Sequence, residues 1–319
     1  MQSIARSRFL ALTGSAAVVG ASRPASAQDL KVVRVLGNPN DDSTSLYYAL
    51  RSGMFRRAGI DVHIDTGTSG AQVAAAVIGG SYDIGKSSVT SIFEAHEKGI
   101  PFTIIAPASI QEPATPFAGT LVLKDSPIRT GKDLENQIVG VSSLSSIGRP
   151  AVCSWVESTG GDWRAVKFVE IPLTQAAAAV EQKRVVASET AQPMLATAIA
   201  TGTFRTLPTY QTISPRFVLT TWFTTKGWSD EHADAARTFA RVIADSAVYV
   251  NAHHAETVSI MAEAGNVDPA IISAMQRVVN GSVLLPALIQ PTIDATARYG
   301  GLKASFPAQE IIDARAARR

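Results

Sequence analysis

The 319-residue chain balances 29 Lys+Arg against 27 Asp+Glu, for a formal net charge of +2. With no long Lys/Arg run, that balance gives nucleic acid or an anionic membrane little to bind. One cysteine, Cys153, and five scattered histidines exclude an intramolecular disulfide and a structural zinc site, so stability must come from a core built by a chain that is 46% hydrophobic.

The first segment reads as a secretory signal. Arg6 and Arg8 precede an apolar stretch from Phe9 to Gly20, followed by Arg23, Pro24 and the small-x-small site Ala25-Ser26-Ala27. Residues 1–27 are therefore expected to be removed on export, with the general secretory route favoured over twin-arginine export because the arginines are not adjacent. Their loss takes away three arginines and no acid, which turns the small positive balance slightly negative. No later run reaches the roughly 18 apolar residues that a membrane helix needs.

Strand-like and helix-like segments then alternate. Residues 30–37 read as a strand, 43–55 as a helix, 60–65 as a strand and 70–80 as a helix stopped by Gly79-Gly80. The stretch SYDIGKSSVTS at 81–91 reads as a strand end, a tight turn at Gly85 and a helix capped by Ser87 or Ser88. A strand at 102–109 completes this unit, and each helix between strands suits a right-handed crossover. After 119–124 a proline- and glycine-bearing segment reads as a hinge. A second α/β unit follows, with strands at 138–141, 166–171 and 185–188 and helices at 149–159 and 174–182. Residues 216–225 read as a returning strand, and the remainder is mainly helical.

Four turns at strand ends are rich in small polar residues, and such turns, ahead of helix N-termini, are where open α/β sheets collect ligands. They supply the candidate binding residues Asn40, Asp41, Ser43 and Thr44; Thr68 and Ser69; Ser87 and Ser88; and Ser142, Ser145 and Ser146. Arg149 is a candidate clamp for a carboxylate or sulfonate, Glu189 for a cationic or hydroxyl-rich group, and Trp222 for stacking on a ring. The ordinary alternatives are helix caps, a solvated arginine and a core tryptophan. The mixed inventory leaves the charge of the ligand open.

The succession SLYYALRSGMFRRAGIDVHI, GAQVAAAVIGGSYDIGKSS, EAHEKGIPFTIIAP, GKDLENQIVGVSS and GGDWRAVKFVEI, ending in QPTIDATARYGGLKASFPAQEIID, spans almost the whole chain after residue 27. It resembles the periplasmic solute-binding proteins of ABC importers of the nitrate/sulfonate/taurine (NMT1/SsuA-like) type. One departure is Val186, where the family often has aspartate ahead of an acidic-proline segment. The resemblance implies a periplasmic binding protein type II-like fold, with two α/β lobes, a ligand cleft and hinge crossovers. Lobe 1 is expected at 28–122 with a return at 214–319, and lobe 2 at 123–213. It further implies a monomer in the periplasm that hands a small-molecule solute to the permease of an ABC importer, without cofactor, metal or nucleic acid.

Two other classes stand beside this reading: an exported enzyme using the same cleft with Glu189 or Asp83 as acid–base groups, and a sensing module for a membrane receptor. Against an enzyme, Cys153 lies mid-helix, His253 and His254 are adjacent rather than at i, i+4, and no Walker, G-x-S-x-G or G-x-G-x-x-G motif occurs. No catalytic residue is assigned.

Overall fold

A computed structural model of the chain describes residues 30–67 and 69–316. The signal segment and the candidate Thr68 therefore lie outside the described residues. The strands are β1 (Lys31–Gly37), β2 (Ile60–Thr66), β3 (Ile84–Ser88), β4 (Phe102–Gln111), β5 (Ala118–Leu123), β6 (Ile138–Val141), β7 (Lys167–Glu170), β8 (Ala187–Ala191), β9 (Phe204–Leu207), β10 (Phe217–Thr225) and β11 (Val279–Asn280). The helices are α1 (Thr44–Arg51), α2 (Met54–Arg57), α3 (Gly70–Ile78), α4 (Val89–Glu97), α5 (Gly148–Ser158), α6 (Ala176–Glu181), α7 (Met194–Ala200), α8 (Lys226–Glu231), α9 (Ala233–Ala252), α10 (His254–Gly265), α11 (Pro269–Ala274) and α12 (Pro286–Arg298).

Two sheets organise these elements. The first runs β11-β4-β10-β3-β1-β2 and the second β7-β6-β8-β5-β9. Both are mixed. The crossover pattern predicted from the sequence holds for β1, β2 and β3, which are parallel. The returning strand β10 is antiparallel and inserts between β3 and β4, setting Trp222 opposite Lys86 on one side and Ala106 on the other. In the second lobe β6 is parallel to β7 and β8, and β5 runs antiparallel to β8 and β9. Strand β5, mostly ahead of the expected boundary after residue 122, thus pairs in the second sheet, and the segment after residue 124, expected as a hinge, joins β5 to β6 within that sheet.

Alternation along β1 sends Val33 and Val35 to one face and Leu36 to the other. On one face they meet Leu46, Phe55, Phe239 and Ile243 from α1, α2 and α9. On the other face, α3, α4 and α12 contribute Val73, Ile92, Phe93, Ile289 and Ile293. Gly85 does not make the expected tight turn. It lies inside β3, where a Cβ would come within 2.6 Å of Val73 and 2.8 Å of the Phe223 ring, so helix α3 can sit close on the sheet only over a glycine.

The chain passes between the sheets at 112–117 and again at 208–216. Buried Gln111 ties down the first passage: its Oε1 accepts the Phe117 and Ala118 N–H groups at 3.2 and 3.3 Å, and its Nε2 donates to the Ala118 carbonyl at 3.3 Å. Helix α12 also reaches the second lobe, where Tyr299 Oη donates to Glu157 of α5 at 2.8 Å and packs edge-on against Trp163.

Candidate functional site

A cavity of about 850 Å³ is walled by both sheets. The first sheet contributes Asn38, Asn40, Asp42, Ser69 and the Lys86-Ser87-Ser88 strand end. The second contributes Ser142, Ser143, Ser145, Ser146, Glu189 and Tyr210, while Phe117, Ala118, Leu219 and Thr220 come from the strands and passages that join the two. Such a volume holds a small organic solute.

The stretch 81–91 crosses this wall. Strand β3 carries on through Ser88, so Ser87 is not a helix cap, and Ser88, at the cap position of α4, makes no side-chain cap bond. Their hydroxyls bond sideways instead: Ser87 Oγ donates to Ser91 Oγ at 3.1 Å and Ser88 Oγ lies 2.9 Å from Thr90 Oγ1. Ser69 does cap α3, accepting the Gln72 N–H at 3.2 Å.

At the floor, Lys86 and Asp42 form a buried ion pair, with side-chain exposures of 4% and 1%. Asp42 Oδ2 also accepts Thr220 Oγ1 at 2.7 Å, and Thr220 is bonded to Ser109 at 2.6 Å. Burial pulls the Lys86 ammonium below its ordinary pKa, a pull that the charge of Asp42 opposes. Across the cavity, Glu189 projects from β8 with its carboxylate held by neutral donors. Oε2 accepts the Ser142 N–H at 2.6 Å and Ser146 Oγ at 3.0 Å, and Oε1 accepts Tyr210 Oη at 2.7 Å. Burial, then the neighbouring Glu189 charge, pushes the Tyr210 phenol well above its ordinary range, so it stays a donor.

The other expected site residues lie elsewhere. Asp41 points into the core, where Oδ1 accepts Arg277 Nε at 2.7 Å and Oδ2 accepts the Val278 N–H at 2.8 Å. Ser43 Oγ donates to the Asn38 carbonyl at 2.7 Å, and Thr44 Oγ1 donates to the Asp41 carbonyl at 2.7 Å while accepting from Arg277. These three organise the first turn without lining the cavity. Arg149 stands over the Phe168 ring at 5.7 Å rather than in the cleft. Trp222 is fully buried in the first lobe and packs edge-on against Phe239, so it is a core residue. Asn40, Ser69, Ser87, Ser88, Ser142, Ser145, Ser146 and Glu189 all line the cavity.

Sequence reasoning missed Lys86, Tyr210 and Thr220. Lys86 left one trace, a basic residue in the middle of a short buried strand. Tyr210 and Thr220 left none, because they reach the cleft through tertiary pairing. Cys153 is fully buried, and burial pushes its thiol up to about 12, which removes it as a nucleophile. Among the described residues no group of three or more His, Cys, Asp or Glu is placed to hold a metal ion.

The fold is shared with periplasmic binding proteins. The aliphatic sulphonate binding protein SsuA of Escherichia coli superposes with a TM-score of 0.73 at 16% identity, over 88% of this chain and 97% of that one. The nitrate-binding protein NrtA of Synechocystis PCC 6803 superposes with a TM-score of 0.74 at 13% identity, over 91% and 87%. The alkanesulfonate-binding protein SsuA of Xanthomonas axonopodis pv. citri, bound to MOPS, gives 0.73 at 16% identity, over 88% and 98%. No curated protein sequence matches the chain. A family model described as NMT1/THI5 like matches residues 40–257, and the chain belongs to that NMT1/THI5-like family.

Proposed function

We propose that this chain is an exported, monomeric receptor that captures a small solute between its lobes and delivers it to the permease of an ABC importer. The observation that carries the reading is the cavity of about 850 Å³ whose polar groups come from both sheets, Lys86 and Ser87 on one side and Ser146 and Glu189 on the other. A solute touching both walls is held better when the lobes are close together, so binding favours the closed form by its differential affinity. The closed pair of lobes is then the surface that the permease reads. The passages at 112–117 and 208–216 serve as hinges between the lobe built on the first sheet and the lobe built on the second, so that lobe 2 starts with β5 at Ala118 rather than after residue 122. The signal-like segment 1–27 and the absence, among the described residues, of any helix able to cross a membrane support a periplasmic location.

A thermal-shift screen of the purified protein against sulfonates, nitrate, carboxylates, amines, pyrimidines and flavins tests this, with chemical analysis of the recovered hit. A ligand at about 100 times its Kd adds about 2.7 kcal/mol of stability and is returned unchanged. A hit that is consumed identifies an enzyme instead. Protection by no compound overturns the assignment of this cleft as a solute site.

A further inference from the structure

Among the described residues, carboxylates outnumber ammonium groups on the wall of the cleft. Those lining it are Asp42, Glu94 and Glu189, against Lys86 and Lys98. Lys86 is spent on Asp42, and Lys98, at the rim, lies 4.0 Å from Glu94. No arginine lines the cavity among the described residues: Arg277 pairs with Asp41 and Arg149 stands over the Phe168 ring. Glu189 alone has no cation. It is 5% exposed, and among the described residues no basic side chain lies within ion-pair distance of it.

The Glu189 carboxylate is held in place by its surroundings. Three neutral donors reach its two oxygens, and the carboxylate lies against the first turn of α5, so closely that a Cβ on Gly148 would come within 2.3 Å of Cδ. A helix N-terminus favours an anion, and here the protein's own carboxylate occupies the place where a bound sulfonate or nitrate would be stabilised. A carboxylate has about four acceptor positions. With three filled, one remains, on a residue that lines the cavity.

We propose, on the footing that this cleft is the solute site, that it selects a neutral or cationic solute presenting an N–H or O–H donor to Glu189 and excludes monoanions. An entering anion would be buried beside a carboxylate that, among the described residues, has no cation paired to it. A donor instead gains a charge-assisted hydrogen bond, while Phe117, Leu173, Met194 and Leu219 offer apolar surface to the rest of the molecule. The site is therefore set against the anions named for the sulphonate- and nitrate-binding neighbours.

The test holds shape constant and varies charge. Benzamidine, benzamide, benzoate and benzenesulfonate are titrated into the purified protein by calorimetry, up to millimolar concentration, alongside the wider screen. The expected result is that benzamidine or benzamide binds at least about tenfold tighter than either anion. Glu189→Gln is expected to weaken benzamidine about tenfold, weaken benzamide by less and narrow the discrimination against benzenesulfonate. The order in the unaltered protein decides the matter even if the variant fails to fold. A tighter anion, an anionic hit from the wider screen, or a benzamidine-to-benzenesulfonate affinity ratio unchanged in folded Glu189→Gln overturns the charge class while leaving the solute-binding reading in place. Silence from all four probes and from the wider screen overturns both.

Discussion

Replacing Lys86 with methionine breaks an ion pair whose partners are almost wholly sealed from water, at 4% and 1% exposure. Methionine keeps much of the lysine stem but leaves the Asp42 carboxylate buried without a counter-charge. Losing one member of such a pair costs about 3–5 kcal/mol. Asp42 keeps its 2.7 Å bond from Thr220 and borders the cavity, which places the cost near the lower bound, about 3 kcal/mol. Adding Asp42→Asn removes the stranded charge, and the double variant should recover at least about 1 kcal/mol of that loss. Urea denaturation of the wild type, both single variants and the double variant gives the coupling directly. A Lys86→Met protein within about 1 kcal/mol of wild type, or a double variant no more stable than Lys86→Met, would refute the reasoning.

Three further outcomes follow from the same structure. Gly148→Ala forces a Cβ against the Glu189 carboxylate and should cost about 1–3 kcal/mol in urea denaturation; an unaltered midpoint contradicts the close approach. Cys153, buried and with its thiol pushed up to about 12, should react with a thiol reagent at neutral pH only in denaturant, and prompt labelling of the folded protein contradicts that. At Asp83 burial raises the carboxyl, but hydrogen bonds and charge from Arg34 outweigh it and hold the group below its ordinary value of 3.8. A depressed folded pKa means that the stabilisation is present above the unfolded pKa and lost as pH falls through the folded one. The stability gap between wild type and Asp83→Asn should therefore hold from neutral pH down to about 5 and shrink below about 4; a gap that widens on acidification contradicts the assignment.

Local signals carried much of the fold. Glycine pairs, small polar turns and the apolar periods of α3 and α4 announce an α/β chain, because they depend on residues a few positions apart. The insertion of β10 between β3 and β4 was not legible, since its register with Ser87 and Lys86 joins residues more than a hundred positions apart. The same limit governs the cleft. Serines at strand ends could be read as candidates, but whether an acid faces the cavity depends on its partners. Asp41 and Asp42 are adjacent, yet one turns to Arg277 in the core and the other to Lys86 at the cavity floor. Trp222 resembled a stacking platform only while its neighbours were unknown; between Lys86 and Ala106 on a central strand it is interior. Gly85 shows a glycine kept for helix-to-sheet contact where sequence suggested a turn.

Whether both lobes hold the solute is decided by a crystal structure of the protein with its screened or co-purified solute. The solute is expected in the cavity between the sheets, within hydrogen-bonding distance of the Lys86–Ser88 edge on one side and of Glu189 on the other. A solute bound outside this cavity, or touching one lobe alone, would contradict it.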